Sequence, residues 1–218
     1  MTLQKQKVCF IDDDKDFEIP LFRSLFADDF DLVCASSFAE ADNQIRKRRD
    51  WNPSLFVLDL YLPDLDPDNS RLRQMAENPL ELTPDKGAIL QAYLNQEIAR
   101  QRLQQILNIH HQSYRHGIQL AGNVHSAYPR VPIVFYTRKA TIEEILESLQ
   151  LPGVVQVIRK PSGSDASDTR RLTMQQKQRL LARFQNAISL SGTEKVANLK
   201  RCCQTVTSYL RHSELMSQ

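Results

Sequence analysis

Val8-Cys9-Phe10-Ile11-Asp12-Asp13-Asp14 is the stretch on which the fold turns. Its apolar run is too short for a helix, and unbroken apolar character suits a strand buried on both faces of a parallel sheet. The carboxylates end that run abruptly. Working outward, Phe17, Leu21 and Leu25, with Phe22 and Phe26 beside them, recur at helical spacing. Pro20 falls in the first turn of that helix, where its missing N–H is tolerated. Phe30–Ala35 reads as a second strand, and residues 38–49 read as a helix whose basic end complements its dipole. Leu55–Leu58 reads as a third strand, closed by Asp59. Further along, residues 132–136 read as a fourth strand running into Thr137, residues 141–149 as a helix, and residues 154–158 as a fifth strand running into Lys160-Pro161. Strand and helix in alternation, with short links, predict right-handed crossovers and a doubly wound parallel sheet. The fold class is α/β.

The chain has 218 residues, 41% hydrophobic and 25% charged, with a formal charge of +2. These are globular values, and they argue against disorder as the dominant state. No run approaches the ~20 apolar residues of a membrane span, and the polar start lacks a signal peptide's apolar stretch, so a cytoplasmic protein is expected. Charge is graded along the chain: net −5 over residues 1–64 and net +7 over residues 159–218. The basic tail has no aromatic interleaving and no recognisable DNA-binding helix pair, so nucleic acid is not an expected partner. Cys9 and Cys34 sit in apolar runs and read as small buried hydrophobes, while Cys202 and Cys203 are adjacent on an expected helix. The absence of C-x-x-C spacing removes the common zinc and redox readings.

Residues 64–116 break the alternation and read as a helical insertion. Residues 64–84 are rich in Asp, Pro and Asn. Residues 88–114 carry an apolar stripe that includes Leu90, Leu94, Ile98 and Leu107 and needs a partner, either this body or a second subunit. Residues 162–169 read as a flexible polar loop. Leu180, Leu181, Phe184, Ala187 and Ile188 then mark a last covering helix, and Ser191-Gly192 ends it. Residues 191–218, with Val196, Leu199, Cys203, Val206 and Leu210 at helical spacing, read as an appended amphipathic helix and a second self-association candidate.

Polar residues mark the carboxyl ends of four strands: Asp12 with Asp13, Asp59, Thr137 and Lys160. Ligands of open α/β sheets bind in the crevice outside those ends. Carboxylates gathered there repel unless a cation neutralises them, and a small hard cation with a few carboxylates and waters is the habit of Mg²⁺. Lys160 adds a positive charge and Thr137 a hydroxyl. Such a set suits the oxygens of a transferring phosphoryl group, with Asp59 as nucleophile. No Gly-rich phosphate loop occurs, so the donor is expected on another molecule. His110, His111 and His116 lack metal-site spacing and read as ordinary surface histidines.

In CFIDDD, FVLDLYLP, VPIVFYT and IRKP the chain resembles the receiver domains of two-component response regulators, and HGIQLAGNVHSAYPRVPIVFYT resembles that family's third helix and fourth strand, with Gly117 opening the helix. The resemblance covers residues 1–63 and 117–190 and implies a flavodoxin-like sheet of strand order 2-1-3-4-5. It also implies Mg²⁺ on Asp12, Asp13, Asp59 and the Tyr61 backbone carbonyl. Asp59 is then the phosphoacceptor, and Thr137 and Lys160 bind the phosphoryl group. The implied partners are a bacterial histidine kinase or phosphotransfer protein, with output through protein contacts. No enzyme activity is implied beyond Mg²⁺-dependent self-phosphorylation and self-dephosphorylation. The chain departs from the family at Arg138, where a small residue is usual, and at Val157, where an aromatic switch is usual. Two other readings stay open: a receiver-like scaffold or dimerisation module indifferent to phosphorylation, and a haloacid-dehalogenase-like phosphatase using Asp12 and Asp14 as D-x-D.

Overall fold

The structure is a computed structural model describing residues 5–63, 112–138 and 140–190. Five strands, β1 (Gln6–Ile11), β2 (Phe30–Ala35), β3 (Leu55–Leu58), β6 (Ile133–Thr137) and β7 (Val154–Arg159), form one parallel sheet in the order β2-β1-β3-β6-β7. Numbered within that sheet alone, the order is 2-1-3-4-5, the flavodoxin-like arrangement. The short β4 (Leu62–Pro63) and β5 (Gln112–Ser113) pair antiparallel beside it.

Residues Val8 to Ile11 of β1 are fully buried because helices cover both faces of the sheet. On one face, Cys9, Ile11, Phe56, Leu58 and Phe135 pack against α2 (Phe38–Lys47) and α3 (Tyr114–Ala127). On the other, Val8, Phe10, Val57 and Tyr136 pack against α1 (Glu18–Phe26) and α6 (Lys177–Ser189). That second core is aromatic: Phe10 stacks on Phe22 at 4.1 Å, and Phe184 meets Phe22, Phe26 and Tyr136 at 5.5–5.8 Å between ring centres. Cys9 and Cys34 fall in opposite cores as free thiols, which fits their reading as small hydrophobes.

Three expectations need correction. The stretch expected as a loop at residues 162–169 becomes helix α5 (Ala166–Gln175) from Ala166 onward, because the Asp165 carboxylate caps it by accepting from the Asp168 N–H. Gly117 does not open α3: Ser113 caps it, and the helix begins at Tyr114. The helical stretch expected to reach Tyr114 gives way by Gln112–Ser113 to a strand. The remainder of that stretch lies outside the described residues, as do residues 191–218, His110, His111, Cys202 and Cys203. His116 is described, and its Nδ1 lies 3.1 Å from the Leu62 carbonyl oxygen, a structural contact.

Gly117 does have a physical task. A Cβ there would stand 2.2 Å from the Leu60 carbonyl oxygen, so only glycine lets α3 lie against the loop that follows β3. Gly117→Ala must push that backbone away, and we expect it to cost about 1–3 kcal/mol in urea denaturation. A variant as stable as the parent would show that the loop yields freely.

Candidate functional site

Parallel strands deliver their carboxyl ends to one edge of the sheet, and hydrogen bonds there align the residues beyond them. The Asp12 N–H donates to the Ala35 carbonyl, the Asp59 N–H to the Ile11 carbonyl and the Lys160 N–H to the Thr137 carbonyl. Asp12, Asp13, Asp59, Thr137 and Lys160 all line one open cleft of about 280 Å³, with Asp14, Glu18, Tyr61 and Arg138. Every side chain singled out from the sequence for this crevice is present in it.

At the centre is an ammonium among carboxylates. Lys160 Nζ donates to Asp12 Oδ2 at 2.5 Å and lies 3.3 Å from Asp59 Oδ1 and 3.8 Å from Glu18 Oε2. The Lys160 side chain is 5% exposed, and its Nζ sits 5.6 Å from the centre of the Tyr136 ring. Burial alone pulls the lysine pKa down, but Asp59, Asp12 and Glu18 reverse this and hold it above its usual value. The Asp12 pKa is raised as well, which for a carboxylate means that its charged form is disfavoured. Burial pushes it up to about 7, Lys160 opposes this, and Asp59 adds to it. Asp13 is raised by burial first and by Asp59 second. The ammonium therefore neutralises only part of the acid cluster, and the remainder favours either a proton or a second cation.

The acid cluster fits a small hard cation. One oxygen from each of Asp12, Asp13 and Asp59 can be chosen so that all lie within 4.8 Å of one another. Octahedral Mg²⁺ at its ~2.1 Å bond length holds adjacent oxygens about 3.0 Å and opposite ones about 4.2 Å apart, so three carboxylates gathered within this limit are near enough to share one ion. Asp14 serves the turn instead: its Oδ1 accepts from the Phe17 N–H at 2.8 Å, while its own N–H donates to Asp12 Oδ1 at 3.0 Å. That structural task argues against Asp14 as the second acid of a D-x-D phosphatase pair.

Two features escaped the sequence reading. Glu18 opens α1 as a buried carboxylate, 4% exposed, bonded to Arg138 and near Lys160. Its signal was available: it stands three and four residues before Leu21 and Phe22, on the buried stripe, where an acid needs a partner. The other is the Tyr61 hydroxyl, which donates to Glu144 Oε2 at 2.6 Å. This ties the loop after β3 to α4 (Ile142–Gln150), where Glu144 also completes a capping box with Thr141. Nothing local in the sequence announces a bond across 83 positions. Val157, the other noted departure, lines an adjoining, more apolar cleft of about 460 Å³ with Ile142, Ile145 and Arg183, and Thr137 borders both clefts.

No family model matches the chain, and no curated protein matches it. Among solved structures it is similar to the signal receiver domain of an HD domain-containing protein from Pseudomonas fluorescens, at 13% identity and TM-score 0.48, over 85% of this chain and 96% of that one. It is also similar to a response regulator receiver domain protein from Methanospirillum hungatei, at 15% identity and TM-score 0.44, over 84% and 98%. A third is the non-phosphorylated HemR receiver domain from Leptospira biflexa, at 19% identity and TM-score 0.47, over 87% and 99%. Among the described residues, no helix is long and apolar enough to cross a membrane.

Proposed function

We propose that this chain is a response-regulator receiver that accepts a phosphoryl group on Asp59 in a two-component phosphorelay. The observation that carries this reading is the approach of Lys160 Nζ to within 3.3 Å of the Asp59 carboxylate and 2.5 Å of Asp12, the latter 148 positions away in the chain. An ammonium so placed can hold a phosphoryl oxygen on Asp59 without leaving its partners. Thr137, buried at the end of β6, has its hydroxyl for a second oxygen.

In the step itself, an Asp59 carboxylate oxygen attacks the donor's phosphorus. The new O–P bond forms as the bond from phosphorus to the donor's nitrogen or oxygen breaks, and the leaving group takes the electron pair. Asp12, Asp13, Asp59 and the Tyr61 backbone carbonyl are the groups that would hold Mg²⁺. When bound, it supplies positive charge that offsets the carboxylates and the phosphoryl oxygens. Water attack on the same phosphorus later returns Asp59 to its carboxylate.

The donor in this reading is a histidine kinase or phosphotransfer protein, the setting is cytoplasmic, and output passes through protein contacts. Residues 1–63 and 117–190 are the receiver by this proposal, with residues 191–218 appended. The pairing of Leu62–Pro63 with Gln112–Ser113 supports an insertion that leaves and re-enters the fold at one place.

The test is phosphorylation of the full chain with a small acyl phosphate and Mg²⁺, read by intact mass. We expect one added phosphoryl group, absent when EDTA replaces Mg²⁺ and absent in Asp59→Asn. Equal labelling of Asp59→Asn would remove Asp59 from the mechanism, and labelling lost instead in Asp12→Asn alone would revive the phosphatase reading.

A further inference from the structure

Arg138 follows Thr137 at the end of β6 and lines the same cleft as Asp59 and Lys160. Its guanidinium is only partly engaged. One terminal nitrogen donates to Glu18 Oε1, and the Phe17 ring centre lies 5.8 Å from Cζ. Its Nε is buried with no hydrogen-bond partner among the described residues. The side chain as a whole is 30% exposed, so part of the planar fork remains open to an incoming ligand.

Glu18 is shared between two cations, with Oε1 on Arg138 and Oε2 3.8 Å from Lys160. Lys160 in turn lies 3.3 Å from Asp59, so this chain of contacts leads from Arg138 to the acceptor carboxylate. The cleft lining sets the carboxylates of Asp12, Asp13, Asp14, Glu18 and Asp59 against only Lys160 and Arg138. A divalent cation leaves that balance negative, and a phosphoryl group makes it more so. A buried guanidinium nitrogen without an acceptor is costly, and an anionic oxygen relieves that cost.

We propose that Arg138 is a phosphate-binding residue of this site, held against Glu18 until a phosphoryl group on Asp59 draws its guanidinium across. The inference rests on Asp59 as phosphoacceptor. It makes the departure from a small residue a gain of one ligand rather than a plug in the cleft. Glu18 is the positioning residue: it holds the guanidinium at the start of α1, beside Phe17, and sets how much binding must be given up when Arg138 moves.

The experiment titrates beryllofluoride, as an acyl-phosphate mimic, into the full chain at saturating Mg²⁺, by calorimetry with ¹⁹F NMR of the bound fluorides. Arg138→Ala should weaken beryllofluoride binding about tenfold or more, the effect of losing a charge-assisted hydrogen bond. Its affinity for Mg²⁺ alone should hold or rise, because the variant removes a positive charge from an acidic cleft. Arg138→Lys, which keeps the charge without the fork, should fall between the two proteins. Glu18→Gln should tighten beryllofluoride binding by releasing Arg138. Unchanged or tighter binding in a folded Arg138→Ala overturns the proposal, as does weaker binding in Glu18→Gln. Asp59-dependent binding that ignores Arg138 sinks this inference alone. A parent protein that takes up no beryllofluoride, or does so equally in Asp59→Asn, sinks the phosphoacceptor reading and this inference with it.

Discussion

Lys160→Met is expected to destabilise the protein by about 3–5 kcal/mol in EDTA and to abolish the response to beryllofluoride. The magnitude is that of breaking a buried ion pair from one side, which strands the partner charges rather than removing them. Lys160 is well suited to show it. Its side chain and that of Asp12 are nearly inaccessible, at 5% and 2% exposed, and Asp59 and Glu18 lie close by. Methionine keeps most of the lysine volume, so the loss reports charge more than packing. Urea denaturation with and without Mg²⁺ separates the causes. If stranded carboxylates are responsible, Mg²⁺ recovers much of the lost stability; a loss of the same size in both conditions would assign it to packing. A variant within about 1 kcal/mol of the parent in EDTA would mean that the ammonium is not needed to balance the cluster.

The pH dependence is the second large effect, and its sign follows from Asp12. Burial first, with Asp59 adding and Lys160 opposing, raises its folded pKa from 3.8 to about 7. Between these values the folded protein keeps a proton that the unfolded chain releases. The metal-free protein therefore loses stability as pH rises from about 4 to about 7 and levels off above. The shift corresponds to a penalty on the order of 4 kcal/mol at most. Lys160, whose pKa is raised, contributes stability that persists throughout this window, because loss begins only above the lysine's own range. Mg²⁺ binds the ionised carboxylates, so the stabilisation it gives should be small at pH 5 and large at pH 8. Melting curves in EDTA and in Mg²⁺ across that range check both halves. A metal-free protein that gains stability from pH 5 to pH 8, with a constant Mg²⁺ increment, would show that Asp12 is ionised throughout.

The five parallel strands were legible because each central strand is buried on both faces and carries an uninterrupted apolar run. Val8 to Ile11 and Leu55–Leu58 show it most plainly. Their polar terminations were legible for the same reason: a carboxylate cannot continue such a strand, so Asp12 and Asp59 mark where the sheet ends. Helix α5 was missed because its apolar pattern is weak and its start depends on Asp165 capping at Asp168. Glu18 was not legible as a site residue because it is the one charged residue on the buried stripe of α1, and its partners Arg138 and Lys160 come from the ends of distant strands. Gly117 was misread as a helix start, since its need arises from the Leu60 backbone across the fold and not from its own turn.

By itself, then, the order of residues determined the α/β class, the strand ends and the identity of the ionisable groups delivered there. These follow from local apolar runs and from the covalent chain. Only the tertiary structure decided which partners those groups have: that Lys160 meets Asp12 across 148 positions, that Glu18 is divided between Lys160 and Arg138, and that Tyr61 is bonded to Glu144. Partnership at that range is set by how strands and helices stack in three dimensions, and burial then fixes the charge that each group can carry.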